Sequence, residues 1–272
     1  MSAIRDIGLS NDMTGSQRFI RDLQSRFGGL LDAKTNIQCS IRKLRKRPFE
    51  PEFEILKTLY PKGRCAIDVG ANRGQSIEAI RLYHASVQIN AFEPSAPLFR
   101  KLVTRHGVDN NLALHNIGLG NRTMSAELYV PYYRDFMYDG LSSFSEGRAS
   151  NWLNPDTVWR FKPELLRVEK HPCHISALDK FSFKPFFLKI HVQGFELDVL
   201  QGAKHTIRSH FPVLLMANNE DADLWLRAKG WTQYAYFEDK LLEMKVNDLN
   251  LYNCVYLHSQ NPDHRGIVEA LN

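Results

Sequence analysis

The stretch Ala66-Ile67-Asp68-Val69-Gly70-Ala71-Asn72-Arg73-Gly74 decides the fold class. A short apolar run reaches an acid, turns through two glycines and opens into a helical pattern. It reads as a strand, a tight turn and a helix N-terminus. Gly70 can take backbone angles closed to other residues, and both glycines let a ligand approach the main chain. The helix beyond offers unpaired N–H groups and the positive end of its dipole. About nineteen residues after Gly74, a second apolar run, Val87 to Phe92, ends in Glu93. An acid at roughly that spacing is the expected partner of ribose hydroxyls in a nucleotide-binding α/β unit.

Outward from this unit, strand and helix patterns alternate. Strands are expected at about 65–69, 87–92, 112–115, 186–191, 212–217, 231–237 and 251–258. Helices fit 74–84, 95–106, 196–209 and 221–229. Such alternation predicts an α/β fold with a doubly wound, mostly parallel sheet covered on both faces. The last two strands are expected to pair antiparallel at the end of the sheet. Leu119 to Val130 alternates around Gly120-Asn121, a hairpin-like signal. Residues 131–172 are irregular and rich in aromatic and polar groups, and read as an insert on the substrate side. Upstream, Phe19, Ile20, Leu23, Phe27, Leu30 and Leu31 recur at helical spacing. The chain thus divides into a helical N-terminal extension, 1–52, and a main domain, 53–272. Capping, dimerisation and membrane contact stay open for the extension.

The 272 residues, 43% hydrophobic and 24% charged, suffice for one large α/β domain with an extension. No apolar run approaches the ~20 residues needed to cross a bilayer. The N-terminus lacks a basic segment followed by an apolar core, so a cytoplasmic protein is expected. Cys39, Cys65, Cys173 and Cys254 form no CxxC pair and read as buried free thiols, and no metal site is expected. The net charge of +5 is partly local, in Arg42, Lys43, Arg45, Lys46 and Arg47. That run, 42–47, reads as a solvated helix face or as a contact with anionic lipid at a membrane periphery, nucleic acid or an acidic substrate. No nucleic-acid-binding signature accompanies it. The oligomeric state stays open.

Several blocks together carry a family resemblance: Ile67 to Gly74, Ala91-Phe92-Glu93-Pro94, Ala177-Leu178-Asp179, Leu188 to Glu196, and Val199-Leu200-Gln201-Gly202-Ala203. In order and spacing they resemble the FkbM family of S-adenosylmethionine-dependent methyltransferases, over roughly residues 53–258. The resemblance implies the Rossmann-like class I methyltransferase fold, with seven strands, the last antiparallel. It also implies S-adenosylmethionine as cofactor and a hydroxyl oxygen as methyl acceptor, on a sugar, glycan or related small molecule. Carried over by position, Asp68, Gly70, Asn72 and Gly74 would surround the methionine end and the ribose. Glu93 would accept from the ribose hydroxyls, and Asn116 to Leu119 are the positions for adenine.

Two departures from the family pattern stand at the active edge. His191 replaces the usual aspartate, and Ala217 stands where glutamate is common. Three readings of His191 compete: a general base, an orienting group, or a mark of a catalytically altered protein that binds the cofactor or a glycan without methyl transfer. Glu196 begins the next helix, where an acid offsets the dipole, and is a second candidate for holding the acceptor. Ser142, Ser143 and Tyr138 in the insert are the substrate-binding candidates. An NAD-dependent oxidoreductase is a weaker rival, because the Gly-x-Gly-x-x-Gly turn is absent.

Overall fold

The computed structural model describes residues 18, 19, 22, 23, 25, 47–245 and 253–271. Most of the expected extension, with Cys39 and the basic run up to Lys46, lies outside the described residues. The extension's near end enters the domain as a 3-10 helix at Pro51–Thr58, whose Phe53, Ile55 and Leu56 are buried.

The main sheet begins with β1 (Cys65–Val69), β2 (Ile89–Phe92) and β3 (Leu112–His115). A second sheet follows in β4 (Gly118–Leu119), β5 (Met124–Tyr133), β6 (Phe136–Met137) and β7 (Leu166–Ser176). The chain then returns to the main sheet through β8 (Pro185–Ile190), β9 (Val213–Ala217), β10 (Trp231–Phe237), β11 (Lys240–Glu243) and β12 (Asn253–His258). Among the described residues the main sheet has eight strands, in the order β11-β10-β12-β9-β8-β1-β2-β3. The central neighbours pair parallel, and β12 runs antiparallel to both β9 and β10.

The helices are α1 (Gln75–Tyr83), α2 (Ala96–His106), α3 (Glu146–Asn151), α4 (Glu196–Gly202), α5 (Lys204–His210), α6 (Glu220–Arg227) and α7 (Pro262–Ala270). β1, β2, β8 and β12 are buried along their whole length. That is why they read as continuous apolar runs rather than as alternating ones. Successive side chains point to opposite faces and meet different helices. Ala66, Phe187 and Leu215 join Ile77, Ile80, Leu102 and Ile267 in one apolar layer. Ile67, Leu188 and Leu214 join Val199, Leu200, Ile207 and Leu226 in the other. Each fully buried aliphatic side chain contributes roughly 1.5–3 kcal/mol.

Four expectations need correction. The sheet has eight strands, not seven, because Glu238 and Asp239 take left-handed angles and fold β11 back onto β10. Gly120-Asn121 is not a hairpin turn, since β4 and β5 both pair with β7 and not with each other. The segment is instead packed tightly: a Cβ at Gly120 would lie 2.8 Å from the Phe195 ring, and one at Gly202 would lie 1.9 Å from the Gly120 carbonyl oxygen. The helix expected over 196–209 is two helices. Asp179 accepts from the N–H groups of His205 and Thr206 and from the Thr206 hydroxyl, so it caps α5 from a distance. The insert is shorter than 131–172, because the β5–β7 ladder runs out to the pair Tyr133–Leu166. Cys65, Cys173 and Cys254 are free and buried. No helix among the described residues is long and apolar enough to cross a membrane.

Candidate active site

The turn after β1 is held from two sides. Gly70 (φ +79°) and Asn72 (φ +49°) both take left-handed angles, which glycine allows freely and asparagine tolerates. The Asn72 N–H donates to Glu93 Oε2 at 2.8 Å, and the Ser95 N–H donates to Glu93 Oε1 at 2.8 Å. Glu93 therefore clamps the glycine turn to the end of β2. Burial pushes its carboxyl up to about 7, against the opposing pull of these two N–H donors. Gly74 serves packing instead. A Cβ there would fall 2.5 Å from His106 Nε2, so the glycine lets α1 approach α2.

Register places Asp68 of β1 beside Lys189 of β8. Their ion pair, 2.9 Å from Oδ1 to Nζ, is almost completely buried. The ammonium also donates to the Gly70 carbonyl at 2.7 Å. Asp68 is fully buried and does not reach the cavity beyond. It neutralises Lys189, which does. A lysine inside an apolar strand is intelligible only with such a partner. The role at the cofactor expected for Asp68 thus passes through its neighbour.

That cavity, of about 390 Å³, opens over the glycine turn. Gly70, Asn72, Glu93, Lys189 and His191 line it, with an apolar wall of Phe92, Leu98 and Leu119. Gly118 and Leu119 reach it from the expected adenine segment, whereas Asn116 is occupied with the carbonyl groups of Glu93 and Pro94. Phe49 and Glu50 close one side. From the insert come Asp139, which pairs with Arg73, and Ser142. The Ser142 hydroxyl is buried and has no hydrogen-bond partner among the described residues.

A second cavity, of about 1040 Å³, lies on the other side of His191 and Gln193, which line both. The loop between β8 and α4 passes through left-handed angles at Gln193 (φ +55°) and Gly194 (φ +94°). Glu196 holds it: Oε1 accepts from the Val192 N–H at 3.1 Å and Oε2 from Asn219 Nδ2 at 3.0 Å. Asn219 in turn caps α6 through Ala222 N–H. Both oxygens of Glu196 are thus engaged, and the residue is 2% exposed. Ser143 is also a tie, accepting from the Ser145 N–H and donating to the Gln193 carbonyl. Tyr138 lies outside both linings and packs on Phe136 and the apolar cluster of the insert.

His191 receives a hydrogen bond at Nε2 from Gln193 Nε2 at 3.1 Å. With the amide nitrogen facing the ring, Nε2 is the accepting nitrogen. Burial, reinforced by the Lys189 charge, pushes its pKa down to about 3. The imidazole is neutral at physiological pH.

The sequence profile described as "Methyltransferase FkbM domain" matches residues 68–230, more than half of the chain. This chain belongs to the FkbM methyltransferase family. The matched span begins on β1 and ends before β10, so the FkbM profile covers the glycine turn, the insert and the His191 loop. Phe49 and Glu50, which also line the first cavity, stand outside it. Among solved structures, the chain is similar to the FkbM methyltransferase of Methylobacillus flagellatus, with 17% identity and a TM-score of 0.44. The likeness covers 75% of this chain and 48% of that one, so the present chain spans about half its length. It is also similar to precorrin-6y C5,15-methyltransferase from Geobacter metallireducens, with 13% identity and a TM-score of 0.38, over 76% of this chain and 84% of the other. No curated protein sequence matches the chain.

The site residues missed in the sequence are Lys189, Arg73, Asn219 and Arg148, the last on the lining of the second cavity. Lys189 alone left a signal, a charge inside a strand that is otherwise apolar. The others are brought together only by contacts between distant segments.

Proposed function

We propose that the protein is an S-adenosylmethionine-dependent O-methyltransferase. On this reading the first cavity takes the cofactor, and the second takes a hydroxyl-bearing acceptor, a sugar, glycan or related metabolite. The observation that carries it is the shared wall: His191 and Gln193 line both cavities, so a donor and an acceptor would meet there. The residues present suit the cofactor. The unpartnered Ser142 hydroxyl offers a buried polar group, and Glu93 faces the position for ribose hydroxyls. Gly118, Leu119 and Leu98 offer an apolar bed for adenine, and Gly70 and Asn72 flank the methionine end. Asp68 and Asp139 answer the cations Lys189 and Arg73, which leaves Glu50 and, once ionised, Glu93 to favour a sulfonium cation. When bound, the cofactor supplies an electrophilic methyl carbon for in-line displacement.

In this reading His191 orients and does not serve as base. A conjugate acid near 3 is too weak to take an alcohol proton usefully, and Nε2 already accepts from Gln193. The ring positions the acceptor oxygen at the wall it shares with Gln193, and the hydroxyl proton leaves to water in the wider cavity. Proximity and alignment then carry most of the rate. Glu196 and Asn219 hold the loop that presents His191.

A second reading keeps cofactor binding without transfer, and the low basicity of His191 together with Ala217 favours it. Calorimetry with S-adenosylmethionine, followed by incubation with labelled cofactor and cell metabolites, separates the two. Binding with labelled product supports the enzyme. Binding with no product from any extract supports the second reading, and absence of binding removes both.

A further inference from the structure

The second cavity has an unusual charge inventory. Its ionisable lining residues are Arg148, His191 and Glu196. Glu196 is buried with both oxygens engaged, and His191 is neutral. The Arg148 guanidinium makes no ion pair or hydrogen bond with any described residue. Its position is nevertheless defined. A Cβ at Gly194 would lie 1.7 Å from Arg148 Nη1, so the guanidinium rests on the Gly194 backbone, beside Gln193 and His191. Ala217 lines the same cavity and offers no carboxylate. Asn151, Asn154 and Asn218 line the same cavity and carry no charge.

A planar guanidinium with unsatisfied donors matches two oxygens of an oxyanion. Arg148 is exposed, and its contact with Gly194 keeps the guanidinium at the cavity wall, with its donors open to a ligand. We propose that the methyl acceptor carries an oxyanion group, a carboxylate, sulfate or phosphate, and that Arg148 binds it so that the acceptor hydroxyl lies at the His191–Gln193 wall. This rests on the methyltransferase reading and narrows its acceptor class.

The test uses the full chain. S-adenosylhomocysteine is titrated first, by calorimetry. The complex is then titrated with glucuronate, glucose 6-sulfate and glucose 6-phosphate, each against neutral glucose. We expect at least one anionic sugar to bind roughly 10- to 100-fold tighter than glucose. Which of the three binds tightest names the oxyanion. Arg148→Gln should abolish that preference, and Arg148→Lys should keep part of it. In both variants the affinity for S-adenosylhomocysteine and the melting temperature should match the wild type. Equal affinity for all four sugars, absence of binding by all four, or a preference that survives in Arg148→Gln overturns the proposal. If S-adenosylhomocysteine itself fails to bind, the cofactor reading falls, and the same four titrations on the free chain judge the Arg148 site by itself.

Discussion

Gly70 and His191 are in contact through their backbones: a Cβ on Gly70 would stand 2.1 Å from the His191 carbonyl oxygen. The turn that reads as a cofactor loop is therefore also the surface against which the His191 loop is laid. The His191 N–H donates to the Val69 carbonyl beside it, so the two loops are joined edge to edge.

Replacing Gly70 by alanine should hence damage both cavities at once. The new methyl group collides with backbone that cannot move aside, and the left-handed angle adds about 1–2 kcal/mol of strain. We expect a loss of stability of at least ~2 kcal/mol, read as a lower urea midpoint, together with loss of cofactor binding. Gly63 is the control. It also has a left-handed angle (φ +75°), but nothing lies within 4 Å of an added Cβ, so Gly63→Ala should show the strain alone.

Glu93 makes cofactor affinity depend on pH. Its carboxyl titrates near 7 in the free protein, and the ionised form is the better acceptor for ribose hydroxyls. Affinity should rise as pH increases towards 7, by up to about tenfold per pH unit, and level off above it. The free protein should show the opposite slope. A carboxyl raised from 4.5 to about 7 costs the folded state as it ionises, so stability falls as pH rises through that window. Glu93→Gln should remove both slopes, measured by calorimetry and by denaturant unfolding from pH 5 to 8.

His191 should stay neutral across the working range. Carbon-13 labelled histidine observed by NMR should show no titration of this ring between pH 5 and 8. His191→Ala should lower turnover by no more than ~100-fold, since positioning is lost but no proton-transfer partner is removed. A ring that titrates near 6.5, or a loss of ~10⁴-fold, would restore the general-base reading.

Ser142→Ala tests the first cavity without disturbing the fold. The hydroxyl has no partner among the described residues to lose, so stability should be unchanged within ~0.5 kcal/mol. Cofactor affinity should fall by roughly 3- to 10-fold, the equivalent of one neutral hydrogen bond. Unaltered affinity would move the cofactor away from this wall.

His264, far from the site in sequence, should govern part of the acid sensitivity. It is buried, and its Nδ1 accepts from the His258 N–H at 2.8 Å. Burial pushes its pKa from 6.5 down to about 4. Its contribution is complete above pH 6.5 and is lost as pH falls towards 4, by up to about 3 kcal/mol at ~1.4 kcal/mol per pH unit. His264→Asn keeps an acceptor and cannot be protonated, so unfolding midpoints below pH 6 should drop less steeply.

The sequence alone determined the sheet's central strands, since β1, β2, β8 and β9 are apolar runs bounded by turn residues, and local patterning of that kind survives folding. It also determined the family, from motif blocks whose spacing is a property of the chain. The eighth strand was not legible, because Lys240–Glu243 has no pattern until Glu238 and Asp239 turn it onto β10. Nor were the roles of the acids. Asp68 and Glu196 look like site carboxylates in one dimension. Only the tertiary structure assigns Asp68 to Lys189 and Glu196 to Val192 and Asn219, because a buried carboxylate must find its donors wherever packing brings them. Arg148 is the converse case. Its sequence surroundings are ordinary, and only folding sets it on Gly194 at the wall of the second cavity, with no ion pair among the described residues.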